Sequence, residues 1–408
     1  MKILYIHQYF ATPRGHTGTR SWQQARAMRR AGHRVLMLTS IAQLRPEEVP
    51  PGGLVRRGRI GGLEAIVVPI AYSQRMRYLR RMWSFFWFML VASWVAVTEP
   101  GVDLVFATST PLTVGVPCLA ARILRGRPYV FEVRDLMPAM GVTMGIIRRW
   151  WQVAALEFLE WFIYAQARLI VAVNDDVAAF IRRRTDGRKR ALVVPNACDV
   201  AFFRPDRDGS AFRRDHALEG KVLCVYAGAI GLISGIDTIL DAAGALRDEP
   251  DVRFVLIGDG NQKDRLRRRA ADDGLTNVLF LDPMPKEDLA DVLAGGDVGL
   301  MTVSPYPILE LNCANKFFDY LASGLPVALN YGGWQARVLA EHGCGVSAPQ
   351  GDTAGFIKNL RRLVASADLR REMGGRARRL AETGYERGRV VRPLLEALAG
   401  LERPMQRR

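Results

Sequence analysis

The sequence predicts an α/β protein built from two doubly wound, parallel-sheet domains. Its 408 residues suit two domains of ordinary size. Short apolar segments alternate with helix-length segments along the chain, which is typical of parallel sheets covered by helices on both faces. This series occurs twice and is interrupted at Pro195–Pro205. We therefore expect domains at residues 1–195 and 196–389, followed by a helical segment at 390–408 whose docking site is not predicted.

The expected strands are short apolar runs in both halves. In the first half they are Ile3–Ile6, Val35–Thr39, Leu104–Ala107, Tyr129–Val133 and Leu169–Val173. A helix is expected at Ser21–Ala31, where Gly32 ends it. The strands of the second half are Leu223–Tyr226, Phe254–Ile257, Val278–Leu281, Val298–Met301 and Pro326–Leu329, and the helices between them are Ile236–Arg247, Lys263–Asp272, Lys286–Ala294 and Lys316–Ala322.

Charge is distributed unevenly between the two halves. Residues 1–200 contain 28 Lys and Arg against 13 Asp and Glu, whereas residues 201–408 contain 29 against 28. A strongly basic half indicates contact with a polyanion, either a nucleic acid or an anionic membrane surface. The five cysteines are scattered and form no C-x-x-C pair, which argues against a disulfide framework or a zinc site and favours a reducing, cytoplasmic location.

One segment of the basic half, Met82–Thr98, has no charged residue and contains three tryptophans. It is shorter than the ~20 apolar residues of a membrane-spanning helix. Three interpretations stay open: a helix buried in the first domain, a helix that presents aromatic side chains to a bilayer interface, or, least favoured by its length, a spanning helix. A second basic-then-aromatic sequence precedes another apolar segment. The candidate membrane-facing residues are Arg80, Arg81, Trp83, Trp87, Arg148, Arg149, Trp150 and Trp151.

Two polar segments of the first half follow predicted strands. The loop Phe10–Arg20 contains Gly15 and Gly18, which leave room for a ligand near backbone N–H groups, but it lacks the glycine spacing of dinucleotide-binding proteins. Arg134 and Asp135 follow Tyr129–Val133, at the edge where parallel sheets bind ligands. A carboxylate there either orients a hydroxyl group or forms a structural ion pair.

The second half has glycine-rich turns after two successive strands. The segment Tyr226–Gly235 contains three glycines before a helix, and Gly258-Asp259-Gly260 follows the next strand. Both suit the approach of a phosphate, although a simple turn explains the second equally well.

The most specific segment is Pro307–Val327, with the sequence PILELNCANKFFDYLASGLPV. Asn315 and Lys316 begin the expected helix, and Asp319 lies one turn later on a neighbouring face. A helix N-terminus and a lysine together suit a diphosphate. A carboxylate one turn further can accept hydrogen bonds from two ribose hydroxyls, and Glu310 can do the same for a sugar.

Together these segments resemble the retaining glycosyltransferases of family 4, which have the GT-B fold. The resemblance covers essentially the whole chain, through GHTGTR, FEVRDLMP, VVPNACDVAFFRP, YAGAIGLISGIDTILDAA, FVLIGDG, NVLFLDPMPK and NKFFDYLASGLPV. The most similar branch contains fucosamine and other amino-sugar transferases of bacterial surface polysaccharide assembly.

The resemblance implies a role for each site residue. It implies catalytic roles for Lys316 and Glu310, and Asp135 is our candidate for assisting the acceptor hydroxyl. The implied donor-binding residues are Gly18, Gly228, Gly231, Asp259, Pro283, Met284, Asn315 and Asp319, with Pro283 and Met284 at the nucleobase and Asp319 at the ribose. His16 and Arg134 are expected on the acceptor side of the cleft.

The sequence departs from the wider family at several places. On the acceptor side, Arg134-Asp135 stands where many members have a His-acid pair, and Met137 and Ala139 stand where the branch favours Trp and Glu. The family's two acids are glutamates separated by seven residues, whereas Glu310 and Asp319 are separated by eight. The family's arginine and lysine in the second glycine loop are replaced by Ala229 and Ser234. Lys316 is our candidate for the missing positive charge.

The expected activity is transfer of a hexosyl or amino sugar, with retention, from a nucleoside-diphosphate sugar, preferably a UDP-sugar, to a lipid-linked or other glycan acceptor. No cofactor or metal ion is expected, since the one D-x-D sequence, Asp206-Arg207-Asp208, merely follows the linker. The expected location is the cytoplasmic face of the plasma membrane, as a peripheral protein. The alternatives are a catalytically silent membrane-binding or partner-binding subunit of the same fold, a nucleotide-sugar epimerase and a nucleic-acid binder, although no nucleic-acid-binding module is recognisable. Oligomeric state is not predicted.

Overall fold

The computed structural model describes residues 1–13, 15, 18–72 and 76–402. The chain forms two compact units. The first contains Met1–Pro195 together with the segment from Val391 onward, and the second contains Asn196–Val390.

The first unit contains an eight-stranded sheet. Its strands in spatial order are β3-β4-β2-β1-β5-β6-β7-β8, all parallel except β3, which is antiparallel to β4. The five strands predicted in this half are confirmed to within one or two residues. The bounds are β1 Lys2–Ile6, β2 Arg34–Ser40, β3 Arg56–Ile60, β4 Leu63–Val68, β5 Leu104–Thr108, β6 Tyr129–Val133, β7 Leu169–Ala172 and β8 Ala191–Val193.

The β3–β4 hairpin was not predicted from the sequence. Arg56–Ile60 is mostly charged and exposed, so it lacks the apolar alternation of a strand. The turn does have a recognisable sequence, Gly61-Gly62. Both glycines adopt positive φ angles, of 54° and 81°. A Gly-Gly pair between two candidate strands is typical of a two-residue hairpin turn.

In the described part of the first unit, six α-helices connect the strands. They are α1 Arg20–Arg30, α2 Tyr78–Thr98, α3 Gly115–Arg125, α4 Ala139–Thr143, α5 Trp150–Gln166 and α6 Asp175–Arg184. The predicted first helix is thus confirmed, one residue earlier than expected, and the uncharged segment Met82–Thr98 lies within α2.

The second unit contains a six-stranded, fully parallel sheet in the order β11-β10-β9-β12-β13-β14. All five predicted strands are present. The bounds are β9 Val222–Ala227, β10 Val252–Ile257, β11 Val278–Leu281, β12 Val298–Met301, β13 Val327–Leu329 and β14 Gly345–Ser347. The helices are α7 Ser210–Asp215, α8 Ile236–Ala245, α9 Lys263–Asp272, α10 Lys286–Ala294, α11 Asn315–Ala322, α12 Gly333–His342, α13 Thr353–Ala365 and α14 Ala367–Thr383.

Both faces of the second sheet are buried, as a doubly wound fold requires. Successive side chains of β9 point to opposite faces. Val225 packs with Phe317 and Phe318 in one core cluster, whereas Cys224 packs with Leu256 in another. The apolar runs of the sequence therefore bury both sides of each central strand, which explains why they are continuous rather than alternating.

The last helix, α15 Arg387–Glu402, begins in the second unit and continues into the first. In the first unit, Glu402 Oε1 lies 2.9 Å from the amino group of Met1 and 3.0 Å from His33 Nδ1. Residues 390–402 of the segment expected to be helical lie in α15, whereas residues 403–408 lie outside the described residues. The contacts of Glu402 place the described end of this helix on the first unit.

A buried ionic network lies at the carboxyl edge of the first sheet. Glu132, at the end of β6, is fully buried. Its Oε1 accepts hydrogen bonds from Arg20 Nη2 at 2.8 Å and Gln24 Nε2 at 2.8 Å, and its Oε2 accepts one from Thr108 Oγ1 at 2.6 Å. Arg20 also donates to the carbonyl of Val194 at 2.6 Å and to that of Pro195. The network therefore joins α1, β5, β6 and the end of the first unit.

Burial alone would raise the pKa of Glu132, but Arg20, Arg134 and Thr108 together lower it to about 2. A carboxyl group whose pKa is lower in the folded than in the unfolded protein stabilises the fold at pH values above its unfolded pKa. That contribution disappears as pH falls toward the folded pKa. The network is therefore fully effective above about pH 4.5.

We predict that Arg20→Ala lowers the free energy of unfolding by about 3–5 kcal/mol, because it leaves a buried carboxylate without its guanidinium partner. The control is Arg34→Ala, which removes an exposed pair with Glu64 and changes stability by less than about 1 kcal/mol. Urea unfolding of the full chain measures both. Equal losses in the two variants would contradict the role of the network.

Candidate functional site

The candidate donor site lies at the carboxyl edge of the second sheet. Because every strand in this sheet is parallel, the loops after β9, β10, β11, β12 and β13 all leave from the same edge. These loops carry the donor-binding residues predicted for the second domain.

Two glycine turns pack directly against each other at this edge. Gly228 N–H donates to Ile257 O at 2.9 Å, and Ile230 N–H donates to Asp259 O at 2.9 Å. A Cβ atom on Gly258 would lie 1.9 Å from Gly228 O, and one on Gly260 would lie 2.2 Å from Ile230 O. Gly258 and Gly260 are therefore required by the backbone contact between the turns, and Asp259 between them has an exposed side chain.

Lys316 lies against the first of these turns. Its Nζ is 3.5 Å from the centroid of the Tyr226 ring, a cation–π contact. A Cβ atom on Gly228 would lie 2.7 Å from the same Nζ. The absence of a side chain at Gly228 thus gives the ammonium group its position. Within the described part of the chain, no carboxylate lies within ion-pair distance of this ammonium.

The N-terminus of α11 lies beside this ammonium, since Asn315 and Lys316 are the first two residues of the helix. The N-cap residue, Ala314, has no side chain that can accept a hydrogen bond from the first turn. The first N–H groups of a helix attract anions, and an adjacent lysine strengthens the attraction. The arrangement can hold a diphosphate between α11 and Gly228.

Asp319 lies one turn further along α11 and is half-buried. Burial raises its pKa to about 6, against the opposing effects of Lys286 and Arg387, while Asp199 raises it further. Lys286, whose charge opposes this rise, begins α10 shortly after Pro283 and Met284. A carboxylate that senses the charge at the start of α10 and lies one turn beyond Lys316 on α11 suits the ribose of a nucleotide.

Glu310 lies in a short helical turn, Pro307–Leu311, after β12. Its Oε1 accepts a hydrogen bond from Gly332 N–H at 3.3 Å, at the N-terminus of α12. A Cβ atom on Gly333 would lie 2.5 Å from Glu310 O, so glycine is required there as well. The carboxylate is thus oriented by backbone, and its second oxygen is available to a sugar hydroxyl.

The two family positions that lack a cation have a local explanation. Ser234 Oγ donates to Ala229 O at 2.6 Å and accepts from Gly231 N–H at 3.2 Å. The hydroxyl of Tyr226 donates to the same carbonyl of Ala229 at 2.7 Å. Ser234 therefore closes the glycine loop on itself, and the positive charge comes from α11 instead of from the loop.

A buried lysine that the sequence reasoning missed supports the nucleobase candidates. Lys263 Nζ donates to Gly258 O at 2.7 Å, to Leu281 O at 2.8 Å and to Asp282 Oδ1 at 2.6 Å. It thereby ties the turn after β10 to the end of β11. Pro283 is exposed and Met284 packs against the core. The only sequence signal was a lysine at the start of a helix, where a cation is unusual.

The acceptor-side candidates lie at the carboxyl edge of the first sheet. Arg134 N–H donates to Ser109 Oγ at 3.0 Å, and the exposed carboxylate of Asp135 accepts a hydrogen bond from Thr110 Oγ1. Asp135 is therefore held by a threonine rather than by the neighbouring arginine. Gly18 is half-buried just before α1. His16 lies outside the described residues.

His7 at the end of β1 is a further polar residue at this edge. Burial and the nearby Arg134 lower its pKa to about 3, so its imidazole is neutral at pH 7. Neither its Nδ1 nor the side-chain amide of the adjacent Gln8 finds a hydrogen-bond partner among the described residues.

Comparison with known proteins identifies the class to which this fold and site belong. Residues 16–197 match the family described as glycosyl transferase 4-like domain, and residues 221–366 match glycosyl transferases group 1. "Probable glycosyltransferase WbjE" of Pseudomonas aeruginosa is 24% identical over 305 residues, covering 72% of this chain and 75% of WbjE. The lipopolysaccharide core biosynthesis glycosyltransferase LpsE of Rhizobium meliloti is 28% identical over 152 residues, covering 37% of this chain and 40% of LpsE.

Solved structures share the fold. Sucrose-phosphate synthase from Thermosynechococcus elongatus superposes with a TM-score of 0.78 at 16% identity, covering 98% of each chain. HepE from Anabaena in complex with UDP-glucose gives a TM-score of 0.72 at 17% identity, covering 98% of this chain and 100% of HepE. These structures show that the chain has the GT-B fold. Together with the two domain matches and the named relatives, they identify a glycosyltransferase.

We predict that Gly258→Ala destabilises the second unit, because the new methyl group would overlap Gly228 O. A shift of the turn also moves Gly228 away from Lys316. The control is Gly375→Ala in α14, where a methyl group meets open space and alanine in a helix is favoured by about 0.5–1 kcal/mol over glycine. Thermal unfolding of both variants measures the difference. A melting temperature of Gly258→Ala equal to that of the wild type would contradict the close contact of the two turns.

Proposed function

We propose that this protein transfers a hexosyl or amino sugar, with retention, from a UDP-sugar to a lipid-linked or other glycan acceptor in surface polysaccharide or glycoconjugate biosynthesis. One observation carries the proposal: Lys316 Nζ lies beside Gly228 and over the Tyr226 ring, at the N-terminus of α11. A free cation and free N–H groups at the carboxyl edge of a parallel sheet suit a nucleoside diphosphate.

Lys316 and the N-terminus of α11 stabilise the leaving group in this mechanism. The bond between the anomeric carbon and the diphosphate oxygen breaks, and negative charge develops on the diphosphate. Preorganised donors aimed at such charge lower the barrier of the reaction. No metal ion is needed in this mechanism, because the lysine and the helix supply the positive potential.

The remaining site residues bind and orient the two substrates. Asp319 accepts hydrogen bonds from the ribose hydroxyls, and Glu310 accepts one from the donor sugar. Pro283 and Met284 contact the nucleobase. Asp135 accepts a hydrogen bond from the attacking acceptor hydroxyl. The hydroxyl oxygen bonds to the anomeric carbon as the bond to the diphosphate breaks, and its proton passes to the Asp135 carboxylate. The exposure of the Asp135 carboxylate at the carboxyl edge of the first sheet supports this role.

The choice of substrates is supported by similarity rather than by the site geometry. HepE is described in complex with UDP-glucose, and LpsE acts in lipopolysaccharide core biosynthesis by name. These names favour a UDP-sugar donor and an acceptor of the cell surface. Retention and the amino-sugar branch are supported by the resemblance in motifs alone.

A catalytically silent subunit is the second candidate, because Ala229 and Ser234 replace two cations of the wider family. The position of Lys316 argues against it, since an ammonium group is still delivered to the glycine turn. An epimerase is disfavoured because the matching relatives are named as transferases.

We predict that UDP in large excess raises the melting temperature of the wild-type protein but not that of Lys316→Ala. A ligand at about 100 times its dissociation constant adds roughly 2.7 kcal/mol to the unfolding free energy. Lys358→Ala removes an exposed lysine from α13 and serves as the matched control, which should respond like the wild type. Comparison with GDP, ADP, CDP and dTDP identifies the base.

Turnover separates the transferase from the silent subunit. Hydrolysis or transfer of a UDP-sugar by the wild type, reduced in Lys316→Ala and insensitive to a chelator, is the expected result. Nucleotide binding without turnover would instead favour the silent subunit, and a full UDP-induced shift in Lys316→Ala would remove the lysine from the donor site.

We predict that UDP binding weakens as pH falls through about 6, where Asp319 becomes protonated and loses its capacity to accept two hydrogen bonds. Because the folded pKa is raised above the ordinary value, this group makes the fold less stable as pH rises from about 4 to about 6. Asp319→Asn should therefore be at least as stable as the wild type at neutral pH and yet bind UDP weakly. The affinity for UDP is measured by calorimetric titration of both proteins over this pH range. Protonation of the UDP phosphate affects both titrations equally, so the difference between the two proteins reports on Asp319. Equal UDP affinities at neutral pH would exclude the ribose contact.

A further inference from the structure

Helix α2 of the first unit presents an exposed apolar face. Trp83, Trp87 and Trp94 are 59%, 50% and 58% exposed. Their spacings of four and seven residues place them along one side of the helix, which other large apolar side chains continue. This face, which we call the α2 apolar face, consists of Leu79, Trp83, Phe86, Trp87, Leu90 and Trp94.

The opposite side of α2 is part of the protein core. Phe88, Ala92 and Val95 are buried, and the helix packs against α3. By length and composition Leu79–Thr98 could cross a membrane, but 28% of this stretch is buried inside the fold. The helix also connects β4 to β5, two strands of the same sheet. A spanning position would separate it from that sheet, whereas a position in the plane of a bilayer interface leaves the fold intact.

A second exposed apolar group lies at the start of α5. Ile146, Trp150 and Trp151 are 63%, 80% and 51% exposed. Helix α3 packs against both α2 and α5, so the three helices form one layer. Because α2 follows β4 and α5 follows β6, the N-termini of both helices lie at the carboxyl edge of the first sheet. This is the edge that carries Asp135.

Positive charge surrounds both apolar groups. Arg77 and Arg80 are exposed at the start of α2, and Arg148 and Arg149 are exposed before α5. Arg81 is half-buried, with its guanidinium over the Tyr72 ring at 5.6 Å from the centroid. The sequence contains no Asp or Glu between residues 77 and 98. The charge therefore complements a negatively charged surface, and the apolar side chains require one that also has a nonpolar layer.

We infer that the α2 apolar face and the start of α5 form a surface that binds the interface of an anionic lipid bilayer. The tryptophan rings lie at the boundary between headgroups and acyl chains, and the arginines contact lipid phosphates. A nucleic acid would satisfy the arginines but leave the apolar face in water. This inference goes beyond the proposed transfer reaction and does not depend on it. It places the carboxyl edge of the first sheet at the membrane surface.

Vesicle sedimentation tests the inference without any sugar substrate. The full-length protein is mixed with vesicles of phosphatidylcholine alone or of phosphatidylcholine with phosphatidylglycerol. Binding to the anionic vesicles, reversed by high salt, is the expected result. The double variant Trp83→Ala/Trp87→Ala should lower the partition coefficient by at least about tenfold. Arg80→Ala/Arg149→Ala should lower it by roughly fivefold for each arginine removed.

Matched controls come from the same unit. Leu54 is 65% exposed and lies outside α2 and α5, so Leu54→Ala controls for loss of an exposed apolar side chain. Arg182→Ala/Arg183→Ala controls for loss of two exposed arginines, at the end of α6. Both controls should bind anionic vesicles like the wild type. Because the substituted side chains are exposed, each variant should fold like the wild type. Melting temperatures verify this.

Four results would overturn the inference. The first is equal vesicle binding by the wild type and the tryptophan double variant, and the second is an equal loss of binding in the arginine controls. The third is resistance to extraction at high salt and alkaline pH, which would indicate a spanning helix. The fourth is absence of vesicle binding together with binding of another partner. That partner is a second copy of the chain if sedimentation velocity shows a dimer that the tryptophan variant does not form, and otherwise a nucleic acid.

Discussion

The close contact between two backbone turns determines the geometry of the candidate donor site. Gly258 lies so near Gly228 O that no side chain fits between them, and the hydrogen bonds of Gly228 and Ile230 hold the two turns in register. Lys263 then fixes the far side of the second turn to the end of β11. The space left by the missing side chain of Gly228 is where the Lys316 ammonium lies. The positions of the residues proposed to bind the phosphates, the ribose and the base thus depend on one contact between two main-chain turns.

The origin of the positive charge distinguishes this site from the wider family pattern. In that pattern the glycine loop carries an arginine and a lysine, whereas here Ser234 closes the loop by hydrogen bonding to Ala229 O. The ammonium of Lys316 is instead carried by a helix, and it contacts the face of the Tyr226 ring. A cation held by a helix and a ring is preorganised, which is the property that stabilisation of a developing charge requires.

Much of the fold could be predicted from the sequence, since buried parallel strands are continuous apolar runs and the helices between them have ordinary periodicity. All ten predicted strands are present. The strand β3 could not be found in this way, because it is a charged edge strand that buries little. The apolar run of β4 and the Gly61-Gly62 turn were present in the sequence and were missed. The spacing of Asn315, Lys316 and Asp319 predicted their grouping on one helix. Contacts between distant segments could not be predicted, such as those of Lys263 with Gly258 and Leu281 or of Arg20 with Glu132. The raised pKa of Asp319 could not be predicted either, because it depends on burial in the tertiary structure.

Helix α15 has a consequence for how the chain can be divided. The polypeptide passes from the first unit to the second at Pro195 and returns after Val390, so the first unit is completed only by a segment synthesised after the second unit. A single cut at the linker would leave the first unit without the helix whose Glu402 contacts Met1 and His33. Chimeras that exchange donor specificity between relatives therefore need two crossover points, one on each side of residues 196–390. On the ribosome, the first unit cannot complete its structure until the second has already emerged.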